Sequence, residues 1–307
     1  MEERSYGSII KALFNVKLSV FQGLSGRGRG RKNIEGSQKK ENRTVPFIGG
    51  MMPDRFKYVK SKKYSDYDTI YAQCSGPGGL QLTEFMAEKM GVKQGAKLLD
   101  IGCNRGYQTC FLAKEYGVFA IGIDPWDDRM QGNPMVEHLQ KNAEEWGVEE
   151  KVVGIKLGVP DTPFATESFD YIYSTTALEM IRVSQGIEGY QKGLKEIYRL
   201  LKKGGVFGVG EPMHLDAVIP ADLEPYVSKG DYPWKDCFRS LRETTRYVEE
   251  AGFKIVEADY VKDAHQWWMD FARYDPFSKK DPGGDLKTLE VDAGRWVSFG
   301  YIVSTKK

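Results

Sequence analysis

From Gly79 onward, short apolar runs alternate with segments whose apolar residues recur every three or four positions. The runs have strand length and the spaced segments have one apolar helical face, so the alternation predicts a parallel sheet covered by helices. Leu80 to Met90 reads as a helix, with Leu82, Phe85 and Met86 on one side, and Lys97 to Ile101 reads as a strand. A helix from about Tyr107 to Tyr116, a strand Phe119 to Ile123, a helix Pro134 to Trp146 and a strand Val152 to Leu157 follow. The pattern continues with a strand Tyr171 to Ser174, a helix Ile187 to Leu201 and a fifth strand, Val206 to Val209. It closes with a helix Phe238 to Ala251 and strands Lys254 to Val261 and Trp296 to Val303, with no internal repeat.

The front of the chain has a different texture. Gly23 to Arg43 has almost no apolar residues and cannot bury enough surface to offset the entropy of ordering it. Residues 1–50, with ten Lys/Arg against four Asp/Glu, are therefore expected to be a disordered basic extension ahead of one domain over 51–307. Met51 and Met52 offer an internal start. The stretch Ile9 to Leu24 is broken by Lys11, Asn15 and Lys17, which makes it a poor secretory leader, and no apolar run has the roughly 20 residues that span a bilayer. The four cysteines form no CxxC pair and the three histidines lie far apart, so no metal site is expected and a reducing cytoplasmic setting fits.

The chemistry concentrates where strands end. LLDIGCNRG, Leu98 to Gly106, turns a strand into a helix, and Gly102 and Gly106 there allow a left-handed backbone or the close approach of a ligand. Asp100 ends that strand, placed to face a cationic amino group. The spacing is not GxGxxG, which weakens a dinucleotide reading that needs a glycine under the pyrophosphate. GID at Gly122 to Asp124 ends the next strand, and a carboxylate there can accept bonds from both hydroxyls of a ribose. Two strand ends thus converge on one nucleoside, with Trp126 close enough to pack on its base.

The ordered series GPGGLQLTEFMAEKMGV, KLLDIGCNRG, FAIGIDPW, GVPDTPFATESFDYIYSTTALEMI and LKEIYRLLKKGGVFGVGEP resembles the class I S-adenosylmethionine-dependent methyltransferases over about Tyr71 to Val209. The resemblance is to the small-molecule group related to quinone, sterol and cyclopropane fatty acid methyltransferases. It implies a Rossmann-like α/β fold: a seven-stranded, mostly parallel sheet with an antiparallel last strand and helices on both faces. It further implies that Asp100, Gly102, Asn104 and Gly106 line the methionine part of S-adenosylmethionine (SAM) and that Asp124 holds the ribose. Val159, Pro160 and Asp161 would meet adenine, and Ser174 would lie beneath the sulfonium. The family usually has Gly where Asn104 stands and commonly Asp where Val159 stands.

Methyl transfer to a small molecule is the expected activity, with water excluded by lids at about 212–236 and 263–294. Holding the acceptor in line can supply much of the acceleration, and a base helps when the acceptor carries a proton. Glu179 stands where cyclopropane-synthase relatives carry a glutamate, and Glu211 and His214 follow the fifth strand; Glu179 and His214 are the candidate bases. Tyr64, Tyr67 and Tyr71, and Trp267, Trp268, Phe271 and Tyr274, form two aromatic groups suited to cations or apolar rings. The competing readings are a nucleic-acid methyltransferase, favoured by the basic front but not by STTALE or the acidic body, a cyclopropane-type lipid-modifying enzyme, and a non-catalytic SAM-binding protein.

Overall fold

A computed structural model describes residues 57–129, 131–281 and 284–307, so the basic extension over 1–50 lies outside the described residues. Five strands, β1 (Lys97–Ile101), β2 (Phe119–Ile123), β3 (Val152–Ile155), β4 (Phe169–Thr175) and β5 (Leu201–His214), pair in parallel. β6 (Arg239–Ser240) is a two-residue strand on the end of β5. β7 (Lys254–Tyr260) and β8 (Val297–Thr305) complete the order β3-β2-β1-β4-β5-β8-β7, with β8 antiparallel to both neighbours. Thus seven strands form the sheet path and β6 is an addition to it. β7 and β8 pair as neighbours, but the described residues between them include helices and are not a tight turn.

Helices α1 (Tyr67–Gln73), α2 (Gly79–Met90), α3 (Tyr107–Tyr116), α4 (Met135–Trp146) and α5 (Leu178–Leu200) lead up to β5. Their buried faces make two cores, one on each side of the sheet: Leu82, Met86 and Phe111 on one, Leu194, Ile197 and Phe207 on the other. The central strands β1 and β2 are apolar on both faces, as strands sandwiched between helical layers must be.

The fifth strand, expected over Val206 to Val209, runs longer, from Leu201 to His214, and two helices begin elsewhere than the pattern suggests. The helix expected from Ile187 begins at Leu178, because Gly186 (φ 69°, ψ −174°) kinks one long helix and interrupts the period that the pattern tracks. The helix expected from Phe238 begins at Leu241, because Arg239 and Ser240 pair with Met213 and His214, after which the Ser240 hydroxyl accepts a bond from the Glu243 amide at 3.3 Å.

The remaining helices are α6 (Glu224–Val227), α7 (Trp234–Cys237), α8 (Leu241–Glu250), α9 (Ala264–Tyr274) and α10 (Asp285–Asp292). α6, α9 and α10 lie within the two segments expected to be lids and α7 ends one residue past the first; with their flanks these segments share a third core made of Leu223, Val227, Cys237 and Phe238 with Trp268, Leu289 and Trp296. No helix among the described residues is long and apolar enough to cross a membrane.

Candidate active site

At the carboxyl ends of β1, β2 and β4 a cleft of about 900 Å³, partly open to solvent, is walled by Gly102, Asn104, Asp124, Trp126, Val159 and Thr176 among others. The β1–α3 turn makes one side. Its backbone is left-handed at Gly102 (φ 75°), Asn104 (φ 50°) and Gly106 (φ 74°). The space a Cβ would take is already filled by protein: at Gly102 by Ala177, at Gly106 by Leu139. The glycines therefore let the turn pack against α5 and α4, and the expectation that they clear room for a ligand is replaced by this packing reason.

Asp124 ends β2 with each oxygen engaged by one backbone amide, Oδ2 by Asn104 and Oδ1 by Trp126, both at 2.9 Å. A carboxylate oxygen has two lone pairs, so each retains one acceptor position for a further partner. Burial pushes its pKa up, while these two amides pull it down. Trp126 lies at the mouth, 48% exposed. The opposite side comes from Leu157, Gly158 and Val159 and from the first two turns of α5, through Leu178, Met180, Ile181, Ser184 and Gln185.

Of the other residues singled out from the sequence, Asp100, Gly106, Pro160, Asp161 and Ser174 do not wall the cleft. Asp100 is buried behind the turn and accepts a bond from the Thr109 hydroxyl at 2.6 Å. Burial pushes its pKa up to about 7; the Thr109 bond opposes this and the Asp124 charge adds to it. The Ser174 hydroxyl donates to the Ile101 carbonyl at 3.0 Å and so ties β4 to β1. Pro160 and Asp161 open onto a separate polar groove beside Glu196 and Arg199.

Beyond the cleft, toward the lid, Glu179 on the first turn of α5 and Glu211 near the end of β5 are both buried. Burial and the charge of Glu211 raise the Glu179 pKa well above its ordinary value. Burial also raises that of Glu211, opposed by Arg182, the Glu179 amide and the Tyr190 hydroxyl. Both carboxyls are therefore held above the ordinary carboxylate range, Glu179 most strongly, by burial and, at Glu179, by the proximity of Glu211. His214 lies elsewhere: its ring stacks on Trp296 at 5.0 Å, and its Nδ1 is 2.8 Å from the Leu215 carbonyl oxygen. It does not wall the cleft.

The aromatic groups are regrouped by the fold. Tyr67, Tyr71, Phe271 and Tyr274 meet where α1 packs on α9. Tyr64 stacks on Trp146 instead, Trp267 packs on Phe85, and Trp268 joins Trp234 and Phe238 in the lid core. Sequence reasoning missed Ser75, Thr176 and the α5 wall. The first two lie in irregular loops without periodicity, and the third is hidden by the break at Gly186.

The cleft suits an adenosyl ligand. Its wall among the described residues contains a carboxylate and no Lys or Arg, and apolar side chains face a polar turn across it. The Thr176 hydroxyl, in a residue that faces the cleft, is buried without a partner among the described residues.

A family model described as a methyltransferase domain matches residues 99–209. An uncharacterised protein of Haemophilus influenzae is 31% identical over 192 residues, 59% of this chain and 67% of that protein. Cycloartenol-C-24-methyltransferase of Arabidopsis thaliana is 28% identical over 188 residues, 60% of this chain and 52% of the relative, so the chain spans about half the length of that enzyme. Among solved structures, Haemonchus contortus phosphoethanolamine N-methyltransferase 2, in complex with phosphomonomethylethanolamine and S-adenosylhomocysteine, superposes with a TM-score of 0.62 at 20% identity. That match covers 82% of this chain and 58% of the other.

Proposed function

Since this chain belongs to the class I SAM-dependent methyltransferases, we propose that it transfers a methyl group from SAM to a small-molecule acceptor. The observation that carries this reading is the Asp124 carboxylate, aimed into the cleft by two backbone amides beside a left-handed turn.

In this reading Asp124 accepts the ribose hydroxyls, and Gly102 and Asn104 hold the methionine portion. Trp126 and Val159 flank the adenine. Asp100, Gly106, Pro160, Asp161 and Ser174 act from behind the wall, fixing the turn and the loop that carries Val159. SAM supplies an electrophilic methyl group. The chain supplies orientation, which for well-placed reactants is worth on the order of 7–11 kcal/mol.

A base helps an acceptor that loses a proton, and Glu179, buried with Glu211 nearby, stands between Leu178 and Met180, which both line the cleft. The aromatic lid around Trp234, Phe238 and Trp268 favours an acceptor with an apolar or cationic part, and the sterol enzyme among the relatives supports the apolar form. A reducing, cytoplasmic setting is supported by four cysteines that are free and buried.

Isothermal titration with S-adenosylhomocysteine tests the reading. Micromolar binding by the wild type, weakened tenfold or more by Asp124→Ala (about 1.4 kcal/mol), is the expected result. Absence of binding by the wild type overturns it.

A further inference from the structure

The lid over residues 215–237 leaves the sheet at the end of β5 and returns through α7 to β6, which lies beside that same end. One buried side chain from another element spans this junction. Arg182, one turn along α5 from Glu179, donates from Nη2 to the Cys237 carbonyl at 2.6 Å. Its Nη1 lies 3.7 Å from Glu211 Oε2, and its guanidinium sits over the Tyr190 ring at 5.3 Å.

The guanidinium therefore meets the strand from which the lid departs, the helix on which it returns and the helix that walls the cleft. Burying an arginine that deeply is costly unless it is paired and bonded, yet its Nε and Nη1 lack hydrogen-bond partners among the described residues. A counter-ion for Glu211 alone would need no bond to a backbone carbonyl on a different element. The planar fork of arginine, unlike a lysine ammonium, can serve a carboxylate and a carbonyl at once.

We propose that Arg182 is a positioning residue that clasps the returning end of the lid to α5, and so braces the cleft wall formed by Met180, Ile181 and Ser184. It acts through Cys237 and α5 and touches no reacting atom. The clasp couples closure over the acceptor to the shape of the adenosyl cleft, and in that coupling it rests on the function proposed above.

The test separates the clasp from simple charge balance. Arg182→Met alone removes the cation beside buried Glu211 and can fail to fold, so the decisive protein is Arg182→Met/Glu211→Gln, compared with Glu211→Gln. Hydrogen–deuterium exchange of the ligand-free full-length chain is followed in peptides covering 215–237 and in the β7 peptide 254–260. The expected result is at least fivefold faster exchange in the lid peptides with β7 unchanged. Lid exchange equal to that of Glu211→Gln, or faster exchange in lid and β7 alike, overturns the clasp.

S-adenosylhomocysteine affinity of the same pair is then measured, with at least a threefold loss expected in the double variant. Unchanged affinity overturns the coupling to the cleft. If the wild type itself binds no S-adenosylhomocysteine, the functional reading falls while the exchange experiment still decides the clasp.

Discussion

Asn104 donates its backbone N–H to the Asp124 carboxylate at 2.9 Å, and it does so from a left-handed conformation with φ 50°. The bond ties the turn after β1 to the end of β2, so the two strand ends that build the cleft are held in one register. The left-handed region is accessible to asparagine at modest cost and is strained for a β-branched residue.

Substitution at this position should follow backbone preference more than side-chain chemistry. Asn104→Gly is expected to keep stability within about 0.5 kcal/mol of wild type, whereas Asn104→Val should lose on the order of 1–3 kcal/mol. Urea unfolding of both proteins checks this, and equal stability of the two would contradict it.

Gly106 and Gly91 share a positive φ but not their surroundings. A Cβ at Gly106 would overlap Leu139, while one at Gly91 has nothing within 4 Å. Gly91→Ala is therefore expected to cost about 1 kcal/mol from backbone conformation alone. Gly106→Ala adds overpacking and should cost about 2–4 kcal/mol. Thermal unfolding of the two variants gives the comparison.

Trp126 offers a separation of binding from stability. It is half exposed at the cleft mouth, so Trp126→Ala should change unfolding free energy by about 0.5 kcal/mol or less. With Trp126 flanking the adenine as proposed, its removal should weaken S-adenosylhomocysteine roughly tenfold, read by titration calorimetry. A full-affinity variant would place the adenine elsewhere.

Asp100 predicts a pH dependence. Its pKa is raised by burial to about 7 from an ordinary value of 3.8, so between those values the folded protein binds more protons than the unfolded chain. Raising the pH through that window costs stability, and the loss is complete above about 7. Asp100→Asn keeps an acceptor for the Thr109 hydroxyl and removes the titration. Its unfolding free energy should therefore fall less between pH 4 and pH 7.5 than that of the wild type, by on the order of 2–4 kcal/mol. Parallel pH profiles for both proteins would refute the assignment.

The order of strands and helices, the turn after β1 and the carboxylate after β2 were legible in the sequence because each rests on neighbours within a few residues. Apolar periodicity at two or at three to four positions records which face of an element is buried, and a left-handed turn asks for glycine or asparagine wherever it stands. Asp124 was legible because parallel strands of such a sheet end in the loops that wall its cleft, but the same rule did not show that Asp100 turns inward to Thr109 behind that wall. The same signals could not show that Gly102 and Gly106 make room for Ala177 and Leu139, nor that His214 stacks on Trp296 away from the cleft.

Thr176, the α5 wall and the Arg182–Glu211–Cys237 clasp were decided only by the tertiary structure. The two ionic partners of that clasp are 29 residues apart (211 − 182) and lie on different elements, and its carbonyl belongs to a third. No local period links such positions. Their meeting is set by where whole helices settle on the sheet, and that depends on the burial of side chains distributed along the entire chain.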